Sequence, residues 1–333
     1  MVEEYKTTTR GIDTILVGEE MSKRIPVVTI IMSTYNGHKY IREQLESLVD
    51  QQGVTINLVV RDDGSCDDTI SIIESFDGKF NHIAVVQESN VGATASFHCA
   101  AKLALETQLP TEYYAFCDQD DIWMKDKIIS GIAAIDKMDN AKPNMYFTNL
   151  MMMNNNGECL GMLLDDNLIS TQHDTALAAI CTYGCTCIFN RTALKKFCQL
   201  DESLRYVYHD NWLYSVCSFL GNVVYDRQSH IYYRQTGHNV SGQKKVGVAA
   251  WIQRFEKLWK LKDDKRIYES IAIGLLDSFK NELPQEDIYF LNLMTTYRSN
   301  IKARLLLLNS KRLRTSKLSK NVCIIGRILL GYL

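Results

Sequence analysis

Residues 26–37 read PVVTIIMSTYNG, a short apolar run that passes directly into turn-forming residues. A continuous run of β-branched and aliphatic residues is typical of a strand that is buried on both faces of a sheet. In the segment that follows, from Tyr40 to Val49, apolar residues recur at helical spacing. This stretch therefore predicts a buried strand, a polar loop and an amphipathic helix, in that order.

The same succession of strand, loop and helix recurs along the next part of the chain. Further strands are predicted at 56–60, 83–86 and 113–117, and each of them ends in a polar segment. Alternation of this kind is typical of an α/β fold in which helices cover both faces of a parallel sheet. Ligands of such sheets bind beyond the carboxyl ends of the strands. We therefore expect a nucleotide-type site at that edge of the sheet.

Beyond residue 140 the alternation is looser, but no linker rich in Pro, Gly or Ser divides the chain. Strands are predicted at 145–153, 185–189, 223–225 and 231–233. Helices are predicted at 209–219 and from 251 onward, whereas residues 1–25 have no strong period and are interpreted as an extension. The second half is therefore expected to pack on the first.

The composition is that of a globular protein. Hydrophobic residues make up 46% of the 333 residues and charged residues 23%, which argues against a disordered or fibrous chain. The formal net charge of −2 argues against wholesale nucleic-acid binding. Ten cysteines are too few for a disulfide scaffold. Cys181, Cys185 and Cys187 lie close together, but no second cluster with zinc-ligand spacing accompanies them, so reduced thiols are the preferred interpretation.

The two ends of the chain bear on where the protein acts. The N-terminus lacks the pattern of a signal peptide, and no stretch reaches the ~18 apolar residues of a membrane-spanning helix, so a cytoplasmic protein is expected. Residues 301–333 hold eight basic residues and no acidic one, which leaves the first 300 residues with a net charge of −10. Basic and apolar residues alternate in this tail, as in segments that lie on the inner face of a membrane. The alternative is a helix pair packed on the rest of the chain or on a second subunit.

Asp118, Asp120 and Asp121 place three carboxylates within four residues, at the end of a predicted strand. Carboxylates this close repel one another unless a cation neutralises them, and a hard divalent ion such as Mg²⁺ or Mn²⁺ prefers oxygen ligands. The alternative is a solvated acidic turn that caps a helix beginning near Trp123. Because the other predicted strands also end in polar residues, the metal site is the favoured hypothesis.

Asp62 and Asp63 follow the second predicted strand and allow two interpretations. The dipeptide Asp63-Gly64 is typical of a turn, with Ser65 or Asp67 as the cap of the next helix. A carboxylate at a strand end is also well placed to accept hydrogen bonds from a ribose hydroxyl or a base. Neither a Gly-x-Gly-x-x-Gly loop nor a Walker loop is present, which argues against an NAD enzyme or a simple NTPase.

Four ordered segments, 28–37, 59–65, 90–92 and 117–123, together resemble the signature of family 2 glycosyltransferases with the GT-A fold. The form DQDDIW at residues 118–123 is particularly similar to bacterial rhamnosyltransferase-like members that build surface polysaccharides. The order and spacing of the four segments make the resemblance specific for the superfamily, whereas none of them identifies the donor sugar.

The resemblance implies a domain organisation. It implies a Rossmann-like, mainly parallel sheet flanked by helices over residues 26–245, with a nucleotide-sugar half at 26–125 and an acceptor half at 126–245. An N-terminal extension at 1–25 precedes this domain, and a helical, basic C-terminal region at 246–333 follows it.

The resemblance also implies roles for individual residues. It assigns the nucleotide-sugar to Thr34, Tyr35, Asn36, Asp62, Asp63, Asn90, Gly92, Asp118 and Gln119. It assigns a divalent metal to Asp120 and His238, with Asp118 as a further candidate ligand, and it leaves the role of Asp121 open. Gly184 resembles the small-residue segment that lines the acceptor side.

Asp210 is the implied catalytic base, because it stands at the start of a predicted helix where inverting members of the family carry this residue. A carboxylate at this position could take the proton of an acceptor hydroxyl. Family members often have two adjacent acids here, whereas this chain has His209 before Asp210. The alternative is that Asp210 caps the helix.

The function that the resemblance implies is an inverting, metal-dependent transfer of a sugar, with rhamnose as a candidate, in cell-surface polysaccharide synthesis. The donor is then a UDP- or dTDP-linked sugar, the cofactor Mg²⁺ or Mn²⁺, and the acceptor a glycan or a polyprenyl-linked glycan. Peripheral membrane contact through 301–333 and a homo-oligomer stay open, and nucleic acid is not expected as a partner. Two other classes remain as alternatives: a nucleotidyltransferase, which usually has a glycine-rich basic loop near its first strand, and a non-catalytic nucleotide-sugar-binding protein.

Overall fold

A computed structural model of the protein describes residues 24–166, 182–236 and 266–333, together with residues 169, 171 and 177. Over these residues the chain forms one sheet of nine strands. In chain order the strands are β1 (Val27–Thr34), β2 (Thr55–Asp62), β3 (His82–Gln87), β4 (Tyr113–Cys117), β5 (Ile122–Trp123), β6 (Asn144–Met153), β7 (Cys159–Met162), β8 (Ile188–Asn190) and β9 (Asn222–Arg234).

Ten α-helices within the same residues surround the sheet. In chain order they are α1 (Ile41–Val49), α2 (Thr69–Glu74), α3 (Ala93–Glu106), α4 (Lys127–Ile135), α5 (Arg191–Phe197), α6 (His209–Leu220), α7 (Ile267–Phe279), α8 (Gln285–Thr296), α9 (Ile301–Asn309) and α10 (Leu318–Leu330).

The strands follow the order β3-β2-β1-β4-β8-β6-β9-β5, and β7 is attached to β6. β1 pairs in parallel with β2 and β4, and β2 pairs in parallel with β3. β8 lies antiparallel between β4 and β6, and β6 is parallel to β9. Six of the nine strands therefore run in one direction, which confirms the predicted α/β fold with a mainly parallel sheet.

The central strands have continuous apolar sequences because both faces of the sheet are covered. Ile31 and Val59 belong to one core cluster, whereas their chain neighbours Ile30 and Leu58 belong to a second cluster. Side chains of a strand alternate between the two faces, so a strand in the centre of a covered sheet is apolar at nearly every position. Helices α1, α2 and α4 contribute to the second cluster, and α3 and the later helices to the first.

The C-terminal helices α7 to α10 pack on the first core cluster. Leu275, Leu291, Leu307 and Ile328 are buried in the same cluster as Trp212 of α6. The basic tail therefore folds back onto the rest of the chain, as one of its two interpretations required. No helix within the described residues combines the length and the apolar character that crossing a membrane requires.

The acidic segment does not lead into a helix near Trp123, as one interpretation supposed. Residues 122–123 form the short strand β5, which pairs with β9, and α4 begins only at Lys127. A pairing partner more than a hundred residues away decides the local structure here, so the helical pattern of the sequence begins one turn later than predicted.

Two further predicted elements in the second half differ from the structure. The strands predicted at 223–225 and 231–233 form one continuous strand, β9. Its pairing register with β6 shifts in the polar middle of the strand, between Asp226 and Ser229. The strand predicted from Cys185 begins only at Ile188, because residues 184–186 form a 3₁₀ turn. The helix predicted from residue 251 lies, as far as residue 265, outside the described residues.

Candidate active site

A cavity of about 1450 Å³ opens beyond the carboxyl ends of β1, β2 and β4. Its walls come from segments that are far apart in the sequence. They include residues 33–40, 90–94, 118–120, 182–184 and 208–211, together with residues 317, 319, 320 and 323 at the start of α10. The cavity therefore lies at the edge of the sheet where the sequence predicts a ligand site.

Most of the predicted site residues line this one cavity. They are Thr34, Tyr35, Asn36, Asp63, Asn90, Gly92, Asp118, Gln119, Asp120 and Asp210. Asp62 is fully buried beneath the lining and is not part of it. The predicted metal ligand His238 lies outside the described residues.

The loop after β1 is held by hydrogen bonds from two other loops. The backbone N–H of Tyr35 donates to Gln119 Oε1 at 2.9 Å, and Gln119 Nε2 donates back to the Tyr35 carbonyl at 3.1 Å. Asn36 lies in the left-handed region with φ 47°, and its Oδ1 accepts from the N–H of Cys66 at 2.9 Å. A Cβ at Gly37 would overlap the Gln119 side chain, so this glycine permits the close approach of the two loops.

Asp62 is occupied by hydrogen bonds within the protein. Its Oδ2 accepts from the Thr34 hydroxyl at 2.8 Å and from the Ser65 hydroxyl at 2.6 Å. Its Oδ1 accepts from the Ser65 N–H at 2.7 Å and from Gln87 Nε2 at 3.2 Å. The carboxylate therefore fastens the end of β1 to the loop after β2.

Asp63 holds the segment that contains Asn90 and Gly92. Its Oδ1 accepts from Arg61 at 2.5 Å and from the Val91 N–H at 2.9 Å, while its Oδ2 accepts from the Gly92 N–H at 2.9 Å. Gly92 has φ 85°, a conformation that side chains rarely adopt. The segment before α3 is thus shaped by Asp63 and by the backbone freedom of one glycine.

Asp118 is a cavity-lining carboxylate whose surroundings disfavour its charge. Burial and the neighbouring charge of Asp120 raise the pKa of Asp118 to about 7, and a hydrogen bond from Cys185 opposes the rise. A cation that approaches a carboxylate in such surroundings stabilises its ionised form. Asp118 and Asp120 both line the cavity, so such a cation would lie within the cavity.

Asp121 faces the interior and not the cavity. Its side chain is fully buried, and its Oδ1 accepts from the backbone N–H of Arg234 at 3.1 Å. The fully buried ammonium of Lys127 lies 4.5 Å from the centre of the Trp123 ring and interacts with the charge of Asp121. Burial lowers the pKa of Lys127, whereas burial and the neighbouring charges of Asp120 and Asp118 raise that of Asp121.

Arg234 ties the acidic segment to α1. Its Nε donates to the carbonyl of Asp120 at 2.9 Å, and its other arm lies 2.5 Å from Glu43. The guanidinium also lies 4.8 Å from the centre of the Tyr40 ring. The end of β9 is therefore joined to the acidic segment by both the backbone and the side chain of one residue.

The chemistry of the donor set fits a hard divalent cation. In the described part of the chain, the group whose potential ligand atoms all lie within 4.8 Å of one another is Asp118, Asp121 and Cys185. Cys185 is a buried thiol whose pKa burial raises, and neither Cys185 nor Asp121 lines the cavity. Within the acidic segment, the carboxylates that line the cavity are those of Asp118 and Asp120, and carboxylate oxygens are the ligands that Mg²⁺ and Mn²⁺ prefer.

Asp210 lies in the first turn of α6 and lines the same cavity as these carboxylates. The N-cap of α6 is Tyr208, so the structure does not show Asp210 as the cap. Burial raises its pKa to about 6, although backbone N–H groups of Asn211 and Gly184 partly offset this rise. A carboxylate with a raised pKa that remains ionised at neutral pH suits the work of a general base.

His209 fills the place of the second acid with an aromatic ring. The ring stacks on Phe97 with centroids 4.0 Å apart and lies against Phe116 at 4.9 Å. Burial lowers its pKa to about 3, so the imidazole is neutral at physiological pH. A Cβ at Gly184 would overlap this ring, which explains why this position is a glycine.

Sequence reasoning missed Arg61, Lys127, Arg234 and the contribution of α10. Arg61 could have been found, because a single charged residue between a buried apolar strand and an acidic pair demands a partner. Lys127 and Arg234 carry no comparable pattern. The lining residues of α10 come from a part of the chain that the sequence associates with a membrane or a packing surface.

The chain matches the family model described as Glycosyl transferase family 2 over residues 29–198, which is about half of its length. It is 32% identical over 263 residues to the dTDP-rhamnosyl transferase RfbG of Shigella flexneri, and this alignment covers 75% of the chain and 86% of that protein. The chain belongs to glycosyl transferase family 2. It is accordingly a glycosyltransferase, and the alternatives of a nucleotidyltransferase and a non-catalytic binding protein are set aside.

Other comparisons agree with this membership. The chain is also similar to the UDP-Glc:alpha-D-GlcNAc-diphosphoundecaprenol beta-1,3-glucosyltransferase WfaP of Escherichia coli. The two are 34% identical over 107 residues, and this alignment covers 32% of the chain and 40% of WfaP. The solved structure of residues 1–349 of S. aureus TarS superposes with a TM-score of 0.52 at 20% identity, covering 92% of this chain and 81% of that one. This similarity confirms the GT-A fold.

Proposed function

We propose that this glycosyltransferase is an inverting, metal-dependent enzyme that transfers a sugar, with rhamnose as the first candidate, from a nucleoside-diphosphate donor. The observation that carries the proposal is that Asp210 lines the same cavity as Asp118 and Asp120. One carboxylate is thus available to take a proton, and two are available to hold a cation. The name of RfbG, a dTDP-rhamnosyl transferase, supports dTDP-rhamnose as the first donor to be tested.

In this proposal Asp210 accepts the proton of an acceptor hydroxyl while the hydroxyl oxygen attacks the anomeric carbon. The bond from that carbon to the diphosphate breaks on the opposite face, so the configuration inverts and no covalent intermediate forms. Burial raises the pKa of Asp210 to about 6, which makes the carboxylate a stronger base and still leaves it ionised at neutral pH. The neutral ring of His209 beside it adds no competing charge.

Asp118 and Asp120 hold the divalent metal in this proposal, and His238 is the third predicted ligand. When bound, a divalent cation neutralises charge on the diphosphate and stabilises the departing nucleoside diphosphate. The segments at 34–36 and 90–92 lie against the nucleotide-sugar. Asp62 supports the first segment from beneath the lining, and Asp63, which itself lines the cavity, holds the second segment through its backbone N–H groups.

The acceptor in this proposal is a glycan, carried on a polyprenyl lipid at the inner face of the cell membrane. The relative WfaP is named for an acceptor linked to diphosphoundecaprenol, and this name supports a lipid-linked acceptor. Peripheral contact with the membrane then belongs to the function, because a hydroxyl on a lipid-linked glycan stays close to the bilayer.

The test is a panel of dTDP-rhamnose, UDP-glucose and UDP-N-acetylglucosamine, assayed with Mg²⁺, with Mn²⁺ and with a chelator. We expect release of the nucleoside diphosphate from one donor, dependent on the metal, and NMR of the product should show the anomeric configuration inverted relative to the donor. Release that is indifferent to the chelator would reject the metal. Retention of configuration would reject the assigned role of Asp210.

A further inference from the structure

Helix α10 presents three different sides to its surroundings. Ile324 and Ile328 are buried in the first core cluster and fix the helix on the body of the protein. The start of the helix lines the active-site cavity through Lys317, Ser319 and Lys320. A third side of the helix carries large apolar residues that remain exposed in the described structure.

This third side is a stripe of Leu318, Val322 and Leu329, which are 77%, 48% and 55% exposed. Residues four and seven positions apart lie on the same side of an α-helix, so these side chains form one stripe. Helix α9, which packs against α10, has a second exposed apolar pair, Ile301 and Leu305, which are one turn apart and 77% and 56% exposed. Single exposed apolar residues are ordinary on a protein surface, but three on one side of a single helix indicate an interaction surface.

The charges on these helices favour an anionic partner. Residues 301–333 hold eight basic residues and no acidic one. Arg304, Arg312 and Arg314 donate hydrogen bonds within the protein, and Lys317 and Lys320 line the cavity. Lys302 and Lys311 are exposed. Exposed apolar residues and exposed lysines within one C-terminal segment are the pattern of a segment that lies in the interface of a bilayer containing anionic lipids.

We propose that the stripe of α10, together with Ile301 and Leu305 of α9, docks on the surface of an anionic lipid bilayer. The apolar side chains enter the interface, and Lys302 and Lys311 meet the lipid headgroups. Because the start of α10 also lines the active-site cavity, docking holds that cavity beside the membrane. The inference rests on the proposed function in one respect, because docking would bring the cavity close to an acceptor that is linked to a lipid.

The experiment mixes the full chain with vesicles of phosphatidylcholine alone or of phosphatidylcholine with phosphatidylglycerol, and measures the bound fraction by flotation. We expect binding to the anionic vesicles that weakens as salt screens the charges. The variant L318S/V322S/L329S should lower the partition coefficient about tenfold or more, because three apolar side chains no longer enter the interface. The variant K302Q/K311Q should lower it about tenfold, and this loss should shrink at high salt.

Two matched variants control for general effects. V49S/L160S/M162S removes three exposed apolar side chains from α1 and β7, and K79Q/K137Q removes two exposed lysines from other surfaces. Both should bind vesicles as the unchanged protein does, and thermal unfolding should show that all four variants are folded. Nucleoside-diphosphate release without vesicles is measured separately, so a failure of the proposed function is distinguished from a failure of docking.

Three results would overturn the docking proposal. The first is equal binding to neutral and anionic vesicles, and the second is an equal loss of binding in the stripe variant and its apolar control. The third is a dimer in light scattering without lipid that the stripe variant converts to a monomer, because the stripe would then be an interface between two copies of the chain.

Discussion

Two pairs of aspartates lie near the same cavity, and they differ in the hydrogen bonds that the protein donates to them. Asp62 and Asp63 are both buried and accept hydrogen bonds from hydroxyl, N–H and guanidinium groups. Asp118 and Asp210 receive fewer such bonds, and burial raises their pKa values to about 7 and about 6. The first pair holds loops in place, whereas the second pair receives few hydrogen bonds from the residues that the structure describes.

The difference lies in the groups that surround each carboxylate and not in burial alone. A buried carboxylate is stable when donors and a counter-charge surround it, and it is costly when they do not. Replacing an aspartate of the first pair should therefore cost stability. Replacing one of the second pair should cost activity or metal binding and leave the fold intact.

The largest effect is expected from Asp210→Asn. The amide cannot accept the proton of an acceptor hydroxyl, so the transfer rate should fall about a thousandfold while affinity for the nucleoside diphosphate stays unchanged. Steady-state kinetics and calorimetry measure the two quantities. Asp277→Asn changes an exposed aspartate of α7 in the same way and should leave both unchanged. Normal turnover of the Asp210 variant would refute the role of general base.

Asp63→Asn tests the other side of the comparison. Asp63 and Arg61 are 2% and 3% exposed and 2.5 Å apart, and the amide would replace one of the oxygens that accept from Arg61, Val91 and Gly92. We expect a loss of about 3 kcal/mol in the free energy of unfolding, measured by denaturant titration. The matched variant Glu88→Gln removes the exposed partner of the same guanidinium and should cost less than about 1 kcal/mol. Equal losses of unfolding free energy in the two variants would contradict the conclusion that the buried Asp63 stabilises the fold more than an exposed partner of Arg61 does.

Asp120→Asn should weaken the binding of the nucleoside diphosphate only when metal is present. The amide is a poorer ligand for Mg²⁺ or Mn²⁺, so the metal-dependent affinity should fall about tenfold to a hundredfold. Calorimetry with metal and with chelator measures the metal-dependent and the metal-independent affinity separately. Asp277→Asn again serves as the control. A fall of the same size in chelator would indicate that Asp120 shapes the cavity without binding a metal.

The sequence allowed the centre of the fold to be predicted because burial on both faces leaves a visible pattern. β1, β2 and β4 are continuous apolar runs, and Asp118 and Asp120 stand directly after one of them. The edge of the sheet that carries the cavity follows from this pattern, since parallel strands end together. The predicted cluster at Thr34–Asn36 and Asn90–Gly92 lines the cavity for the same reason.

Residue pairing across long distances could not be predicted in this way. The sequence does not tell whether Asp62 and Asp63 face a ligand or the chain, because their donors come from the segments at 34, 65 and 91–92. Nor does it reveal that α10 reaches the cavity, since the apolar and basic residues of that helix fit a membrane and a protein core equally well. These contacts depend on which segments meet in the folded protein. The spacing of apolar residues along one helix does not specify its tertiary partner.

The smallest effect expected is on stability, and it has the opposite sign to that of Asp63→Asn. Burial raises the pKa of Asp210 from 3.8 to about 6, so the folded state binds this proton more tightly than the unfolded state. The ionised carboxylate therefore opposes folding, by an amount that is absent below about pH 4 and complete above about pH 6. Asp210→Asn removes this cost but forfeits one acceptor for backbone N–H groups, so it should stabilise the protein by about 1 kcal/mol at pH 7. Thermal unfolding from about pH 4 to pH 8 should show a Tm difference that grows with pH and then levels off. A difference that is negative or constant across this range would place Asp210 with Asp62 and Asp63, among the carboxylates that the chain itself satisfies.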